Sequence, residues 1–167
     1  MPFHSNRLIY KKLKHEDLEN YLLVVCDGDV MKYTSGYAFT RINGISRFNR
    51  TLEQNKEYRK VGYYSVKNKM GEFIAYAKLQ FVNPTTLESG YCILKKYWRQ
   101  GYGTEISQAL VSFAQTLEPY NKLIAITHPE NINSQKILMK SGFEFEKEIE
   151  YEGQAAKRFV QDLVRNP

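Results

Sequence analysis

Apolar positions along the chain keep a helical period, lose it, and regain it, which divides the sequence into three stretches. From Arg7 to Leu13 the run Arg-Leu-Ile-Tyr-Lys-Lys-Leu predicts a first strand. Leu18, Tyr21, Leu22 and Val25 then recur at i, i+3, i+4 and i+7, a helical stripe over Glu16–Cys26 that Asp27-Gly28-Asp29 stops. A second helix is predicted over Thr40–Arg59, with Thr40 as its cap and Ile42, Ile45, Phe48 and Leu52 as its apolar stripe. Between the two helices, Val30–Phe39 carries Tyr33, Tyr37 and Phe39 without any period and reads as a loop with exposed aromatics.

The middle of the chain switches to strands. Val61–Lys67 and Glu72–Phe81 flank the turn Asn68-Lys69-Met70-Gly71, and Leu87–Leu94 follows Asn83-Pro84. The helical period then returns over Gly103–Leu117, where Ile106, Leu110, Phe113 and Leu117 share a face and Pro119 ends the run. Lys122–Thr127 is a short strand, and Asn131–Ser141 a helix with Gly142 just past its end. Phe143–Tyr151 and Ala156–Leu163 form a last hairpin around Glu152-Gly153. The order β-α-α-β-β-β-α-β-α-β-β predicts an α/β fold, a mixed sheet with helices on both faces. With no repeat, low-complexity tract or linker, residues 1–167 read as a single domain.

Composition narrows the function classes. Hydrophobic residues make up 43% and charged residues 25% of the 167, a globular balance. Cys26 and Cys92 are the two cysteines, far apart and outside any metal-ligand spacing, so neither a disulfide framework nor a metal site is expected. No apolar run has the length of a membrane span and the start lacks a signal-peptide core, which points to a cytoplasmic protein with no membrane partner. The net charge of +6 favours anionic partners. Because the basic residues are spread along the chain with no nucleic-acid motif, a solvated basic surface without function is the better expectation than a nucleic-acid footprint.

Leu94-Lys95-Lys96-Tyr97-Trp98-Arg99-Gln100-Gly101-Tyr102-Gly103-Thr104-Glu105 runs from a strand through a glycine turn into an amphipathic helix. A helix N-terminus presents unpaired N–H groups and partial positive charge, and glycine keeps side chains out of a ligand's way. The turn therefore suits a diphosphate. Ile106 stands where a dinucleotide fingerprint needs its third glycine, and the Gly-Lys-Ser/Thr of a Walker loop is absent.

This turn, followed by His128-Pro129-Glu130-Asn131-Ile132-Asn133-Ser134 and Leu138-Met139-Lys140-Ser141-Gly142-Phe143, resembles the GNAT superfamily of N-acetyltransferases. Asn6–Leu13 with Glu16-Asp17-Leu18, Asp29–Tyr33, and Glu88-Ser89-Gly90-Tyr91 are similar to its ribosomal-protein N-terminal acetyltransferase branch. The resemblance extends from Asn6 to about Leu163. It implies a central, mostly antiparallel sheet splayed where the cofactor arm enters, and acetyl-CoA as the cofactor. The pyrophosphate cradle would be Arg99, Gln100, Gly101, Tyr102, Gly103 and Thr104, with Trp98 in the place where the broad pattern has Gln or Arg. The arm would pair with the exposed edge at Cys92–Leu94, that is along Ile93 and Leu94, and lie near Asn131 and Ser134 at the start of the last helix.

In this family the amine attacks the thioester directly, so the protonated acceptor must first lose a proton. Glu88 is the candidate base, working through a water, and Ser134 the candidate acid toward the thiolate, since Leu138 replaces the tyrosine common in the superfamily. His128 at a strand end and Cys92 on an apolar strand have ordinary structural readings. Tyr33 and Tyr37 are expected to line the acceptor site. The acceptor itself stays open between a protein N-terminus and a small amine, and a catalytically silent acetyl-CoA-binding module is the alternative to an enzyme.

Overall fold

The computed structural model describes residues 2–164 and forms one eight-stranded sheet in the order β1-β2-β3-β4-β5-β6-β8-β7. The strands are β1 (Phe3–His4), β2 (Leu8–Lys12), β3 (Gly62–Asn68), β4 (Phe73–Asn83), β5 (Thr86–Ile93), β6 (Lys122–Thr127), β7 (Glu144–Tyr151) and β8 (Gln154–Asp162). The helices are α1 (Leu18–Val25), α2 (Gly28–Met31), α3 (Arg41–Glu57), α4 (Tyr102–Gln115) and α5 (Ile132–Lys140). All neighbouring strands run antiparallel except β5 and β6, which are parallel and joined by the crossover through α4. The mixed sheet is thus the one the periodicity predicts. No helix among the described residues is long and apolar enough to cross a membrane.

Alternation along the strands separates two cores. On β4, Ala75, Ala77 and Leu79 face α4 and join Ile106, Leu110, Leu123, Leu138 and Phe159; Tyr76 faces the other way, onto Tyr21, Leu22, Val25, Phe48 and Leu52 of α1 and α3. Ile106, Leu110 and Leu123 are sealed from solvent, each burial contributing about 1.5–3 kcal/mol.

Several boundaries move for local reasons. Helix α1 begins at Leu18, after a 3-10 turn at His15–Asp17, because buried Asp17 turns back to accept from the Lys14 N–H, the Ser65 hydroxyl and Lys67. Asp27 stops α1 as expected but also caps α2 by accepting from the N–H groups of Asp29 and Val30, so the loop read from Val30 begins inside a helix. Thr40 caps α3 through the Asn43 N–H, yet Ile42 is 79% exposed and the buried stripe runs through Phe48, Thr51 and Leu52. Helix α5 ends in a Schellman motif: Gly142 has φ +93°, and the N–H of Phe143 reaches the Leu138 carbonyl at 3.0 Å.

Candidate active site

The parallel ladder between β5 and β6 is short. It pairs Thr86 with Lys122, Leu87 with Leu123, Glu88 with Ile124 and Ser89 with Ala125, and there it stops. Beyond that point β5 continues against β4 as far as Ile93, while β6 continues against β8 as far as Thr127. The two strands splay, and a cleft of about 1470 Å³ opens between them and passes to both faces of the sheet.

Leu94 donates its N–H to the Ile74 carbonyl at 3.0 Å and accepts from the Tyr97 N–H at 2.9 Å, so both its main-chain groups are occupied. Alternation then turns the main-chain groups of Tyr91 and Ile93 toward the gap. The edge open to the gap is therefore formed by Tyr91 and Ile93 and not by the whole run Cys92–Leu94, since Leu94 is buried and outside the cleft. The Trp98 indole donates to the Ile93 carbonyl at 2.9 Å, leaving that residue's N–H as the group offered to the gap. This bond gives Trp98 a physical role that the sequence pattern alone does not show.

At the mouth of the splay, Arg99 takes φ +61° and Gly101 φ +79°, the left-handed conformations that turn the chain into α4. Gly101 occupies the N-cap position with no side-chain cap, so the N–H groups of Tyr102, Gly103 and Thr104 face the cleft without a capping partner. A Cβ on Gly103 would stand 2.9 Å from Ile137 Cδ1 and 3.3 Å from the Tyr91 hydroxyl, so only glycine keeps this approach open. Arg99, Gly101, Tyr102, Gly103 and Thr104 all line the cleft, and the cradle fits an extended, diphosphate-bearing cofactor. Gln100 is the exception. Its amide turns back onto the Lys96 carbonyl at 3.0 Å, outside the cleft, which removes its side chain from the cradle.

The outer wall of the turn is braced by the turn between β1 and β2. Arg7 donates its main-chain N–H and its Nε to Glu105 at 2.6 and 2.7 Å, donates to the Gln100 carbonyl at 3.0 Å, and lies 4.2 Å over the Tyr102 ring. Ser5 adds a further hydrogen bond to Glu105 at 2.7 Å. Burial works to raise the Glu105 pKa, but the Arg7 N–H, the Ser5 hydroxyl and the Arg7 guanidinium outweigh it and hold the carboxyl below its ordinary range.

Glu88 sits one residue before the splay, 12% exposed, its Oε1 at 2.6 Å from Lys78 Nζ. The Lys78 stem crosses Gly90, where a Cβ would come within 3.0 Å of it. Burial opposes the Lys78 charge, but Glu88, with Tyr63 and Tyr151, more than offsets it and keeps the lysine above its ordinary pKa. The candidate base is therefore one half of an ion pair.

On the far wall Asn131 caps α5 by accepting from the Ser134 N–H at 3.2 Å, and both residues line the cleft. Leu138 is part of the core beneath them. His128 accepts the Glu130 N–H on Nδ1 and packs against Tyr33, ring centroids 5.4 Å apart. Tyr33 lines the cleft. Tyr37 does not: it is 62% exposed and leans on Phe39, away from the opening. The segment around them straps the cleft, since Thr34 touches Cys92 across 3.7 Å and the Ser35 carbonyl accepts from Gln154 of the β7–β8 hairpin. Sequence reasoning missed the wall opposite: Arg47, Arg50 and Gln54 from α3, Tyr63 and Lys78 from the sheet, and Tyr151 from the hairpin. The spacing of Arg47, Arg50, Thr51 and Gln54 at i, i+3, i+4 and i+7 was the available signal, a polar helical face beside an apolar one.

A splayed parallel pair beside an uncapped helix N-terminus is the arrangement that the resemblance to the N-acetyltransferases implies, and comparison with known proteins agrees. Residues 7–144 match the acetyltransferase (GNAT) domain model, and the chain belongs to that family, whose members use acetyl-CoA as cosubstrate. The uncharacterized N-acetyltransferase YnaD of Bacillus subtilis (strain 168) is 25% identical over 138 residues, covering 83% of this chain and 79% of that protein. A structure of RimL, a ribosomal L7/L12 alpha-N-protein acetyltransferase in complex with coenzyme A, superposes with a TM-score of 0.82 at 11% identity, covering 97% and 98% of the two chains. Spermidine N-acetyltransferase from Vibrio cholerae, in complex with CoA and spermine, superposes with a TM-score of 0.80 at 16% identity, covering 94% and 96%. At these identities the likeness fixes the fold, and two neighbours whose acceptors differ fit it almost equally well.

Proposed function

We propose that this acyltransferase moves the acetyl group of acetyl-CoA onto a primary amine by direct attack, with the cofactor arm along Tyr91 and Ile93 and its diphosphate on Arg99, Gly101, Tyr102, Gly103 and Thr104. The observation that carries the reading is the end of the β5–β6 ladder at Ser89 and Ala125, beside the uncapped start of α4 and one residue beyond Glu88. Bound there, acetyl-CoA supplies the thioester that the amine attacks. Glu88 accepts the acceptor's proton through a water, and Ser134 donates toward the departing thiolate. An α-amino group titrates near pH 8 and a lysine near 10.4, so the need for Glu88 grows with the acceptor's basicity. Lys78 holds the Glu88 carboxylate in place as its ion-pair partner. The strap between Cys92 and the β7–β8 hairpin roofs the acceptor side, which favours a small amine over the N-terminus of a folded protein.

Thiol release from acetyl-CoA across a panel of amines tests the reading. Glu88→Gln is expected to lower kcat/KM by about 10²–10⁴ near neutral pH, with partial recovery as pH rises and the amine arrives neutral. Lys78→Met removes the ion-pair partner that positions Glu88, so kcat/KM should fall while acetyl-CoA affinity stays unchanged. A Glu88→Gln protein with the wild-type rate and pH profile would remove Glu88 from the mechanism. Cofactor binding without thiol release for any amine would leave a binding module instead.

A further inference from the structure

Three of the described arginines sit in charged pairs: Arg7 with Glu105, Arg41 with Glu19, and Arg158 with Glu146. Among the described residues, Arg47, Arg50, Arg59 and Arg99 have no carboxylate partner. Three of these four, Arg47, Arg50 and Arg99, line the cleft. Arg99 belongs to the diphosphate turn. Arg47 and Arg50 lie on the opposite arm, on α3, one helical turn apart and on the same side as Gln54.

Arg47 is half-buried. Its Nε donates to the Tyr21 hydroxyl at 3.2 Å, and its guanidinium stands 5.3 Å from the Phe39 ring. Those contacts fix its direction and leave the terminal nitrogens, four of the five N–H donors of a guanidinium, without a carboxylate. Keeping a half-buried guanidinium unpaired is costly unless a ligand completes it. The carboxylates that line the cleft cannot complete it: Glu88 is held by Lys78 and Asp29 by Lys95, and Glu152 stands exposed on the hairpin. With the Lys78–Glu88 pair neutral overall and Glu152 exposed on the hairpin, the two arginines are the cations of the α3 wall that no ion pair neutralises. A polycationic amine would meet repulsion there, while an anion would find a planar fork of donors.

Building on the transfer reaction above, we propose that the acceptor is a small amine that also carries a carboxylate, as an amino acid does, with the carboxylate held by Arg47 and Arg50 while the amine faces Glu88. The two arginines then select and orient the acceptor: they sort carboxylate-bearing amines from neutral and cationic ones, and they fix which end of the molecule enters the splay.

Matched pairs of amines test this, each an amino acid and the corresponding amine or carboxamide lacking the acid. Thiol release is measured together with calorimetric binding of the same compounds to the protein, with and without coenzyme A. The acid of each productive pair is expected to be favoured by roughly tenfold or more in kcat/KM, with KM rising as salt is added. Arg47→Gln and Arg50→Gln should each raise the KM for the acid by about tenfold, the scale of one lost charge-assisted hydrogen bond, while acetyl-CoA affinity stays put. Arg50 is exposed, so Arg50→Glu keeps the fold and should reverse the preference toward cationic amines. Equal or better use of the amine lacking the acid overturns the proposal, as does preference for a peptide N-terminus over the free amino acid. Loss of acetyl-CoA affinity in the arginine variants, with acceptor preference unchanged, assigns the guanidinium groups to the cofactor and also overturns it. Arginine-dependent binding of the acids without thiol release would uphold the recognition site and reject the transfer reaction; absence of both binding and preference rejects the site.

Discussion

The arm of the cleft proposed for the cofactor is made largely of main chain, whereas the arm proposed for the acceptor is made of side chains gathered from α3, β3, β4, β5 and the β7–β8 hairpin. On the first, Tyr91, Ile93 and the N–H groups at the start of α4 present donors whose placement depends on strand register and on two residues with positive φ. On the second, Arg47, Arg50, Tyr63, Lys78 and Tyr151 converge from positions as much as 104 residues apart in sequence. A main-chain site tolerates almost any side chain that leaves it open, so one fold can keep a cofactor constant. A side-chain site changes with every substitution, so the same fold can serve different acceptors.

The largest expected effect falls on the cofactor arm. Gly101→Asp places a fixed carboxylate among donors meant for a diphosphate, and acetyl-CoA affinity should fall by at least about 100-fold, in line with the several kcal/mol that like charges cost. Retained affinity in a folded variant, followed by calorimetry, would dissolve the distinction between the arms. Next in size is the brace behind the turn. Glu105→Gln should cost about 2 kcal/mol at neutral pH by weakening charge-assisted hydrogen bonds from Arg7 and Ser5. Since the folded Glu105 pKa lies below its unfolded value, this contribution is present above the unfolded value and lost as pH falls through the folded one. Denaturant midpoints of wild type and variant should therefore converge in acid.

A smaller effect is expected at Trp98. Trp98→Phe keeps the ring and removes the donor to the Ile93 carbonyl, a loss of about 1 kcal/mol. It should appear as a several-fold weaker acetyl-CoA affinity with acceptor KM unchanged. The smallest effect sharpens the boundary on the other arm: Tyr33→Ala should raise acceptor KM a few-fold, while Tyr37→Ala, outside the cleft, should match wild type in steady-state kinetics. Equal effects from the two tyrosines would mean that the strap takes another course around the acceptor.

The same contrast explains what could be read before the fold was known. Helix α4 was legible because Ile106 and Leu110 repeat with a helical period, and the glycine turn because its ligands are main-chain groups that lie together in sequence. Gln100 looked like part of the cradle by adjacency alone; only the backbone twist at Arg99 and Gly101 shows its amide turned onto the Lys96 carbonyl. Leu94 lies one residue beyond Ile93, the smallest shift that sends a strand's hydrogen-bonding groups to the opposite edge, and a sequence pattern does not show which edge is open. Tyr33 and Tyr37 share a residue type and a loop, and nothing in their letters tells which one faces inward. The Lys78–Glu88 pair was hidden because it depends on the register between β4 and β5, and the wall formed by Arg47 and Arg50 because α3 had been read for its apolar face.

The four-pair ladder between β5 and β6 also bears on how the protein holds together. Among the described residues it is the pairing that joins a five-stranded leaf, β1 to β5, to a three-stranded leaf, β6 with β8 and β7. An extended molecule bonded to Tyr91 and Ile93 prolongs that seam, and so becomes a structural member of the sheet as well as a reactant. Folding and binding are then linked: the melting temperature rises with the logarithm of ligand concentration once the site is saturated, and the free chain is the looser of the two forms.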